Sequence, residues 1–446
     1  MQSWKRGEID WDSGEPSIPC EDVVQHSVTA AKLENVQVHK LLVYLRLDSL
    51  PNLLALISIL GGAPKPPKIR IHPQSQSVGD SDSKEELSEA IQDKKSVLQA
   101  HGVRLLPLTE RDSSVMKVSE VDDYLLHDPV VNTFKTVAHL NNMAISGTID
   151  IVPESSFADT LISRASDACS DLLLLPWSET GRIDDSQLIS KDSVRNKLTT
   201  DAYGHFVNSI LTNASCNTAV FVNNGFGGVG YRERYKLSRT TSTISRWSGQ
   251  EKMVASPIAD HGHHIFMPFF GGANDRIALR LLLHMAENTD ITATILRLPI
   301  SKDTPEIIED WSAKEDVQVR PNRTHSSSVN SDGEENDESF VETLRKSLAP
   351  QVAPRIIFET KETSDLLSEA LARADFELGK NLRNAGDLIV VGRKSLRRAA
   401  VKGGLDPPPA PVTDVGSCLG VVAEAIITRK LKTSILVIQA SPIIKE

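Results

Sequence analysis

The sequence predicts an α/β fold built from two tandem Rossmann-like domains, each with a parallel sheet. Short apolar runs alternate with helix-period segments along most of the chain, which is typical of parallel strands joined by crossover helices. The clearest case spans residues 264–298, where an apolar run ends in Gly271 and Gly272, a helical segment follows, and a β-branched run closes the unit. An earlier stretch repeats this order, because residues 40–47 form an apolar strand run and residues 53–60 continue as an apolar helix. The chain therefore looks duplicated.

The remaining elements continue the alternation. Asp48, Ser49 and Pro51 mark the start of the first helix, since a polar cap and an early proline favour helix initiation. The first half then predicts a helix at 84–101, a strand at 103–108, a helix at 130–142, a strand at 148–152, a helix at 155–169, a strand at 170–176, a helix ending at 211 and a last strand at 218–222. The second half continues with a strand at 355–359, a helix at 364–378, a strand at 385–392, a helix at 415–428 and a last strand at 434–439. Both halves close with a buried-type strand, a helix and a final strand, as two copies of one unit would.

Composition shifts divide the chain into segments. Residues 1–39 show no lasting periodicity and are predicted to be a lead or tether, and 61–83 is a Gly-, Pro- and Ser-rich insertion. We place the first domain at 40–224, a linker at 225–259 and the second domain at 260–441. Near 322–339 the second domain carries an acidic, low-complexity insertion. We expect this insertion to be disordered, because it has too few apolar side chains to bury.

Bulk composition indicates a globular chain. With 446 residues, 40% hydrophobic and 24% charged, it has room for two or three domains. Its net charge of −10 argues against a nucleic-acid-binding module, which needs a basic face. The longest apolar run, residues 50–60, is too short to cross a bilayer, and the N-terminus lacks a signal-peptide core. The four cysteines lie far apart with no Cys-x-x-Cys pair, so we expect neither a disulfide nor a zinc site.

The linker carries a basic, hydroxyl-rich run. Arg239 stands three residues before Ser242, and Ser245 follows shortly after. A solvated loop explains such a run. The Arg-x-x-Ser spacing also suits a basophilic kinase, and a phosphate here would reverse the local charge. Ser242 and Ser245 are therefore candidate phosphorylation sites, with both interpretations open.

Two glycine-containing strand ends are candidate ligand sites. Gly271 and Gly272 leave backbone amides at a helix N-terminus, where an anion can sit, although a plain tight turn needs the same glycines. Gly392, Arg393 and Lys394 follow a buried strand run. Open α/β sheets bind ligands at this end of their strands, and two cationic side chains there would neutralise phosphate.

Other polar clusters support less. Asp275 and Arg276 can bind a ligand or partner, or they can simply match the dipole at a helix start. His261, His263 and His264 are potential metal ligands, but no acidic or cysteine partner stands at helix spacing, so we predict no metal site. No Gly-x-Ser-x-Gly turn or comparable nucleophile arrangement occurs, and we predict that the chain is not an enzyme.

Six segments, taken in order, resemble the cytosolic C-terminal region of monovalent cation/proton antiporters, as in plant cation/proton exchangers and fungal potassium/proton antiporters. They are LPLTERDSS at 106–114, DLLLLPW at 171–177, NGFGG at 224–228, PFFGGANDR at 268–276, DLIVVGR at 387–393 and SILVIQ at 434–439. The sequence WSET at 177–180 resembles fungal members more than plant members.

The resemblance implies two universal-stress-protein-like folds packed as a pseudo-dimer, with the strands at 218–222 and 434–439 meeting at their edges. It implies a regulatory domain of a potassium (or sodium)/proton antiporter that acts through ligand, pH, phosphorylation or partner binding. The partners would be the transmembrane antiporter domain of the same polypeptide and a second copy in a homodimer, with no nucleic acid. The place would be the cytosolic face of an intracellular or plasma membrane. The alternatives are a stand-alone nucleotide-binding universal stress protein and a nucleotide-hydrolysing enzyme of the same fold.

The resemblance also implies a candidate ligand, an adenine nucleotide such as AMP or ATP, and no further cofactor. Universal-stress folds often bind it through an aspartate after the first strand and a glycine-rich loop after the fourth. Asp48 matches the first feature in one half and Gly392 begins the second in the other, so the pattern is split between the halves. The candidate ligand-binding residues are Asp48, Ser49, Gly271, Gly272, Asn274, Gly392, Arg393 and Lys394.

Overall fold

The fold is that of a computed structural model of the 446-residue chain. The structure describes residues 38–61, 98–108, 126–141, 143–183, 201–228, 262–299, 329–363, 365–380, 386–393 and 414–441. Among the helices in these ranges, none combines the length and the apolar character needed to cross a membrane.

Strands and helices alternate through the first half. Its elements are β1 (Lys40–Leu45), α1 (Leu50–Leu60), β2 (Gln99–Pro107), α2 (Pro129–Leu140), β3 (Ala144–Val152), α3 (Phe157–Asp167), β4 (Leu172–Pro176), α4 (Asp201–Asn213) and β5 (Asn217–Val222). Strand β2 begins at Gln99, so the helix predicted at 84–101 does not reach its expected end. The apolar alternation after Gln99 suits a strand that pairs with β1 and β3 on its two sides.

The second half repeats the alternation. Its elements are β6 (His263–Phe269), α5 (Ala273–Met285), β7 (Ile291–Arg297), α6 (Val329–Ser347), β8 (Ile356–Thr360), α7 (Leu366–Glu377), β9 (Leu388–Gly392), α8 (Asp414–Leu419), α9 (Val421–Thr428) and β10 (Ser434–Gln439).

The ten strands form one continuous sheet in the order β3-β2-β1-β4-β5-β10-β9-β6-β7-β8. All pairs inside each half are parallel. The halves join through β5 and β10, which pair antiparallel with Val220 opposite Val437. The predicted α/β architecture of two parallel-sheet domains packed as a pseudo-dimer is therefore confirmed, including the meeting of the two final strands.

The junction is close to twofold symmetric. Asn217 and Ser434 are the first residues of β5 and β10. The side chain of Ser434 accepts a hydrogen bond from the amide of Asn224 at 2.8 Å, and the side chain of Asn217 accepts one from the amide of Ser441 at 3.0 Å. Matching contacts at both ends of the strand pair are what an interface between equivalent surfaces produces.

Two apolar layers cover the two faces of the sheet. Along β1, Leu41 and Val43 belong to one layer and Leu42 and Tyr44 to the other, because successive strand residues point to opposite faces. Both layers contain buried side chains from both halves. Parallel strands covered on both faces read as continuous apolar runs, which is why these strands were visible in the sequence.

The acidic insertion differs from its prediction. Helix α6 begins at Val329, so residues 329–339 are helical rather than disordered, whereas 322–328 lie outside the described residues. The helix is ordered by its C-terminal part, where Val341 is buried and Phe340 and Leu344 pack against the core.

The cysteines also depart from expectation. Cys216 and Cys418 are free thiols. Cys169 is disulfide-bonded, so the prediction of no disulfide is wrong at this position. Pairing depends on the fold bringing two cysteines together in space, which spacing along the chain does not reveal.

Candidate ligand site

The candidate residues lie where parallel strands end, at two separate places in the sheet. Asp48 and Ser49 follow β1, whereas the Gly271–Gly272 turn follows β6 and Arg393 follows β9. Strands β6 and β9 are neighbours. Five strand steps separate β1 from β6, which at about 4.8 Å a step puts them about 24 Å apart. The structure therefore groups the candidates into two sites, one in each half.

In the first half, Asp48 pairs with an arginine that sequence reasoning missed. Arg46 Nε lies 3.0 Å from Asp48 Oδ1 and Arg46 Nη2 lies 3.1 Å from Oδ2, and the two side chains are 1% and 2% exposed. The guanidinium stands 5.1 Å from the ring centroid of Tyr203 and donates to the carbonyl of Ile183 at 2.7 Å. This ion pair is completely enclosed by protein.

Asp48 has further partners across the sheet. It accepts hydrogen bonds from the hydroxyl of Ser178 and the amide of Glu179, both at 3.0 Å. Burial alone would raise the pKa of Asp48, but the Arg46 guanidinium and these donors outweigh it and hold the pKa below its ordinary value. Asp48 is thus an ionised group whose acceptor capacity is used inside the protein.

Ser49 occupies the N-cap position of α1 but makes no side-chain cap hydrogen bond. Its residue is 2% exposed, and in the part of the chain that the structure describes its hydroxyl has no hydrogen-bond partner. Ser49 therefore occupies the predicted cap position without making the cap hydrogen bond. Helix α1 is instead begun by Pro51 and held by its apolar face.

In the second half, the glycine turn is closed by a buried aspartate. Gly271 and Gly272 have φ of 97° and 92°, which other residues rarely adopt. Asp275 is 0% exposed, and its Oδ2 accepts from the amides of Phe270 at 2.8 Å and Gly271 at 3.0 Å. Its Oδ1 accepts from the amide of Gly392 at 3.1 Å, so Asp275 ties the ends of β6 and β9 together.

A second carboxylate completes this turn from helix α6. Asp337 Oδ2 accepts from the amide of Gly272 at 3.1 Å, and its Oδ1 lies 2.6 Å from Arg276 Nε. Donors that would attract an external anion at this helix start are therefore engaged by two carboxylates of the chain itself. An incoming phosphate would have to displace one of them.

Asn274 and Arg393 extend the site to the junction. Asn274 donates to the carbonyl of Arg393 and accepts from the amide of Ala440 at 2.8 Å. Arg393, 3% exposed, donates to Asn208 of the first half at 2.7 Å and to Gln439 at 3.4 Å. Burial lowers the pKa of the Arg393 guanidinium. The structure thus brings Gly271, Gly272, Asn274, Gly392 and Arg393 together.

Three candidates lie outside the described residues: Lys394, Ser242 and Ser245. The described histidines serve separate contacts. His263 stacks on Phe226 with ring centroids 4.5 Å apart, whereas His264 lies 3.3 Å from Glu377 and 2.9 Å from Thr292. Among the described residues, no three His, Cys, Asp or Glu side chains are grouped as a metal site.

The contacts of the candidate residues that sequence reasoning missed are Arg46, Asn208 and Asp337. Arg46 had a signal, since an arginine that closes an apolar strand two residues before an aspartate suggests an ion pair. Asp337 was hidden in a segment predicted to be disordered. Asn208 had no signal, because only the fold brings it to Arg393. Asp275 lies in the first turn of α5, where its charge suits the helix dipole, and it accepts hydrogen bonds from the turn that precedes the helix.

The chain is similar in sequence to cation/proton antiporters of plants. The family described as "Plant cation/H(+) antiporter domain" matches residues 86–226. Cation/H(+) antiporter 19 of Arabidopsis thaliana is 24% identical over 331 residues, covering 72% of this chain and 34% of that protein. Cation/H(+) antiporter 20 of the same plant is 24% identical over 363 residues, covering 76% of this chain and 38% of that protein. The chain thus spans about a third of the length of these relatives.

Among solved structures, a universal stress protein from Archaeoglobus fulgidus DSM 4304 aligns with 90% of this chain and 97% of its own, at 10% identity and a TM-score of 0.40. The order and the directions of the ten strands define the α/β fold of this chain independently of that alignment. The sequence matches confirm the predicted resemblance to the cation/proton antiporters.

Proposed function

We propose that this chain, a relative of the cation/proton antiporters, is the cytosolic regulatory region of a fungal-type potassium (or sodium)/proton antiporter. The observation that carries the proposal is the match of residues 86–226 to an antiporter domain, in the half that holds β2, β3 and β4. In this proposal the chain does not exchange ions or catalyse a reaction. It biases the transmembrane domain of the same polypeptide in response to ligand, pH, phosphorylation or partner binding, and so contributes to pH homeostasis.

The junction supports a role in transmitting signals. The halves share one sheet and one pair of apolar layers, and polar contacts such as Arg393 to Asn208 cross between them. A ligand or modification can shift a regulatory equilibrium only by its differential affinity for two states. Because these contacts cross the junction, a change between two such states would involve both halves.

The proposed partners are the membrane domain, a second copy in a homodimer, and no nucleic acid. The proposed place is the cytosolic side of the membrane. A protease added to the cytosolic side of sealed vesicles that hold the full-length protein should cleave this region. Protection of the region under those conditions would contradict the proposed side.

Transport measurements test the regulatory role. In vesicles containing the full-length antiporter, cation-dependent proton flux is measured across a pH series for wild type, Arg393→Met and the control Lys346→Ala. Lys346 is 76% exposed and lies in an ion pair on the surface of α6. Arg393→Met should change the rate or shift its pH profile, with a change of about fivefold in rate. Unchanged flux in Arg393→Met and in a version lacking residues 38–441 would refute the regulatory role.

Adenine-nucleotide binding stays a prediction, as does the phosphorylation of Ser242 and Ser245. Calorimetry with AMP and ATP, with and without magnesium, tests the first, using wild type and Arg393→Ala. Weaker binding by the variant would place the nucleotide in the second half. If no heat of binding is seen at about 1 mM ligand, nucleotide regulation is removed from the proposal. Phosphopeptide mapping tests the second.

A further inference from the structure

Helix α6 meets the start of helix α5 through charged groups. Asp337 is 8% exposed, although it belongs to an acidic segment. Its two oxygens face the amide of Gly272 and the guanidinium of Arg276, as described above. A side chain at Gly271 would run into the carboxylate of Asp337, so the glycine turn and this aspartate fit one another.

Two neighbours of Asp337 also contact arginines, one through a carboxylate and one through an aromatic ring. Glu338 lies 3.3 Å from Arg297 at the end of β7. Phe340 lies beneath two guanidiniums, with Arg276 at 5.6 Å and Arg280 at 5.1 Å from its ring centroid. Cations over an aromatic face are attracted by its quadrupole. The described start of the contact is therefore electrostatic.

The rest of α6 is held differently. Val341 is buried, and Leu344, together with Leu348 just after the helix end, packs against the apolar layer. Because apolar burial is insensitive to charge screening whereas ion pairs are not, the two ends of the described helix should respond differently to salt.

The residues that receive Asp337 are next to those that hold the junction. Gly272 and Arg276 bracket Asn274, which bonds to Arg393 and Ala440. Arg393 in turn donates to Asn208 in the other half. Two sets of hydrogen bonds, joined by the backbone of the first turn of α5, thus lead from α6 to the junction, and such a network can carry energetic coupling.

We propose that Asp337 is a latch that holds the acidic end of α6 on the start of α5, and that its release loosens the junction between the two halves. Through this latch, a change in the acidic segment would alter the contacts of the first half at the junction. It is a property of this chain alone and does not depend on which ion or membrane the proposed antiporter serves.

Hydrogen exchange of the complete chain tests the latch. Amide exchange is followed by mass spectrometry in wild type, Asp337→Asn and the control Glu342→Gln, whose residue lies in an exposed ion pair on the same helix. In Asp337→Asn, peptides covering 338–347 and 434–441 should exchange about tenfold faster, since hydrogen bonds to charged groups are lost. The control should match wild type. Unchanged exchange in α6 would overturn the latch, and faster exchange confined to α6 would overturn its link to the junction.

Salt provides a second test that needs no substitution at the latch. Raising NaCl from about 0.05 M to about 1 M shortens the screening length from about 14 Å to about 3 Å. Exchange in 338–347 should accelerate more in wild type than in Asp337→Asn, because the variant has lost the Asp337 pair and keeps the pair of Glu338 with Arg297. Equal salt responses in the two proteins would overturn the proposal, even if Asp337→Asn were less stable overall.

Discussion

Asp48→Asn removes the charge from one member of a buried ion pair and leaves its partner in place. Arg46 and Asp48 are 1% and 2% exposed, so solvent cannot compensate the guanidinium that remains. Breaking a buried pair at one side costs about 3–5 kcal/mol, because it leaves an uncompensated buried charge. We therefore expect the free energy of unfolding to fall by about 3–5 kcal/mol at pH 7.

Urea unfolding followed by tryptophan fluorescence measures this change. Trp177 is a local probe, since its ring lies 5.4 Å from that of Tyr203, which stands over Arg46. Glu342→Ala is the matched control, because its pair with Lys346 is largely exposed and should be worth at most about 0.5 kcal/mol. A loss below about 1 kcal/mol in Asp48→Asn would refute the view that this pair is buried and mutually dependent.

The pH dependence of the free energy of unfolding independently tests whether Asp48 is ionised in the folded protein. Because the folded pKa of Asp48 lies below its ordinary value, the unfolded state binds more protons in acid. The stabilisation is present above the ordinary carboxyl pKa of about 4 and is lost as pH falls through the folded value. The difference in stability between wild type and Asp48→Asn should therefore shrink below about pH 4. A difference that grows with acid would mean that Asp48 is not the ionised partner.

Three further predictions follow from local geometry. Gly271→Ala should lower the free energy of unfolding by about 1–3 kcal/mol, because φ is 97° and the new Cβ would meet Asp337. Gly204→Ala should raise it by about 0.5–1 kcal/mol, because Gly204 lies inside α4 with open space where the Cβ would be. Denaturant midpoints compare the two, and equal effects would contradict the reasoning. Burial raises the pKa of Cys216 and Cys418 to about 11, so both thiols should react with an alkylating agent at pH 8 only after unfolding. Burial, and then nearby Arg164, lower the pKa of His101, so its NMR titration midpoint should lie below 6.5, and a midpoint above that value would show a different environment.

The sheet could be predicted from the sequence because its strands are buried on both faces. Runs such as residues 171–176 and 387–391 are apolar at every position except their first. Such uninterrupted apolar runs are typical of parallel strands that are buried on both faces. The pairing of the last strands followed from the family resemblance and is confirmed by the register of Val220 with Val437. Helix α6 escaped prediction, because the apolar contacts that order it begin only at Phe340, after the acidic run.

The candidate site was predictable by position but not by partner. Strand ends in a parallel sheet can be found from the pattern of apolar runs, and Gly271, Gly272 and Gly392 do lie at the ends of β6 and β9. The groups that accept hydrogen bonds from their backbone amides could not be predicted from the sequence. Asp275 is four residues away from Gly271, but Asp337 is more than sixty away and arrives through the packing of α6. Long-range partners of this kind are decided by tertiary packing, which leaves no local pattern.

The duplicated halves differ at one equivalent position, and this difference makes a ligand test possible. The amide of Trp177 donates to Phe221 and that of Arg393 donates to Ile438, both at 2.7 Å, so the two residues correspond. Trp177 packs inside its own half, whereas Arg393 reaches Asn208 across the junction. An anion that recruits Arg393 must compete with this contact, and by linkage the contact must weaken that anion's binding.

Asn208→Ala removes the competing contact without altering Arg393. If a nucleotide uses Arg393, its dissociation constant should fall by about 2- to 10-fold in Asn208→Ala, as expected for one hydrogen bond of about 0.5–1.5 kcal/mol. Calorimetry with ATP measures the change, and Asn132→Ala, which alters a surface asparagine of α2, is the control. Binding that is equal in wild type and Asn208→Ala would show that the ligand does not engage Arg393. In that case the arginine serves the junction alone, and regulation has to enter through another part of the chain.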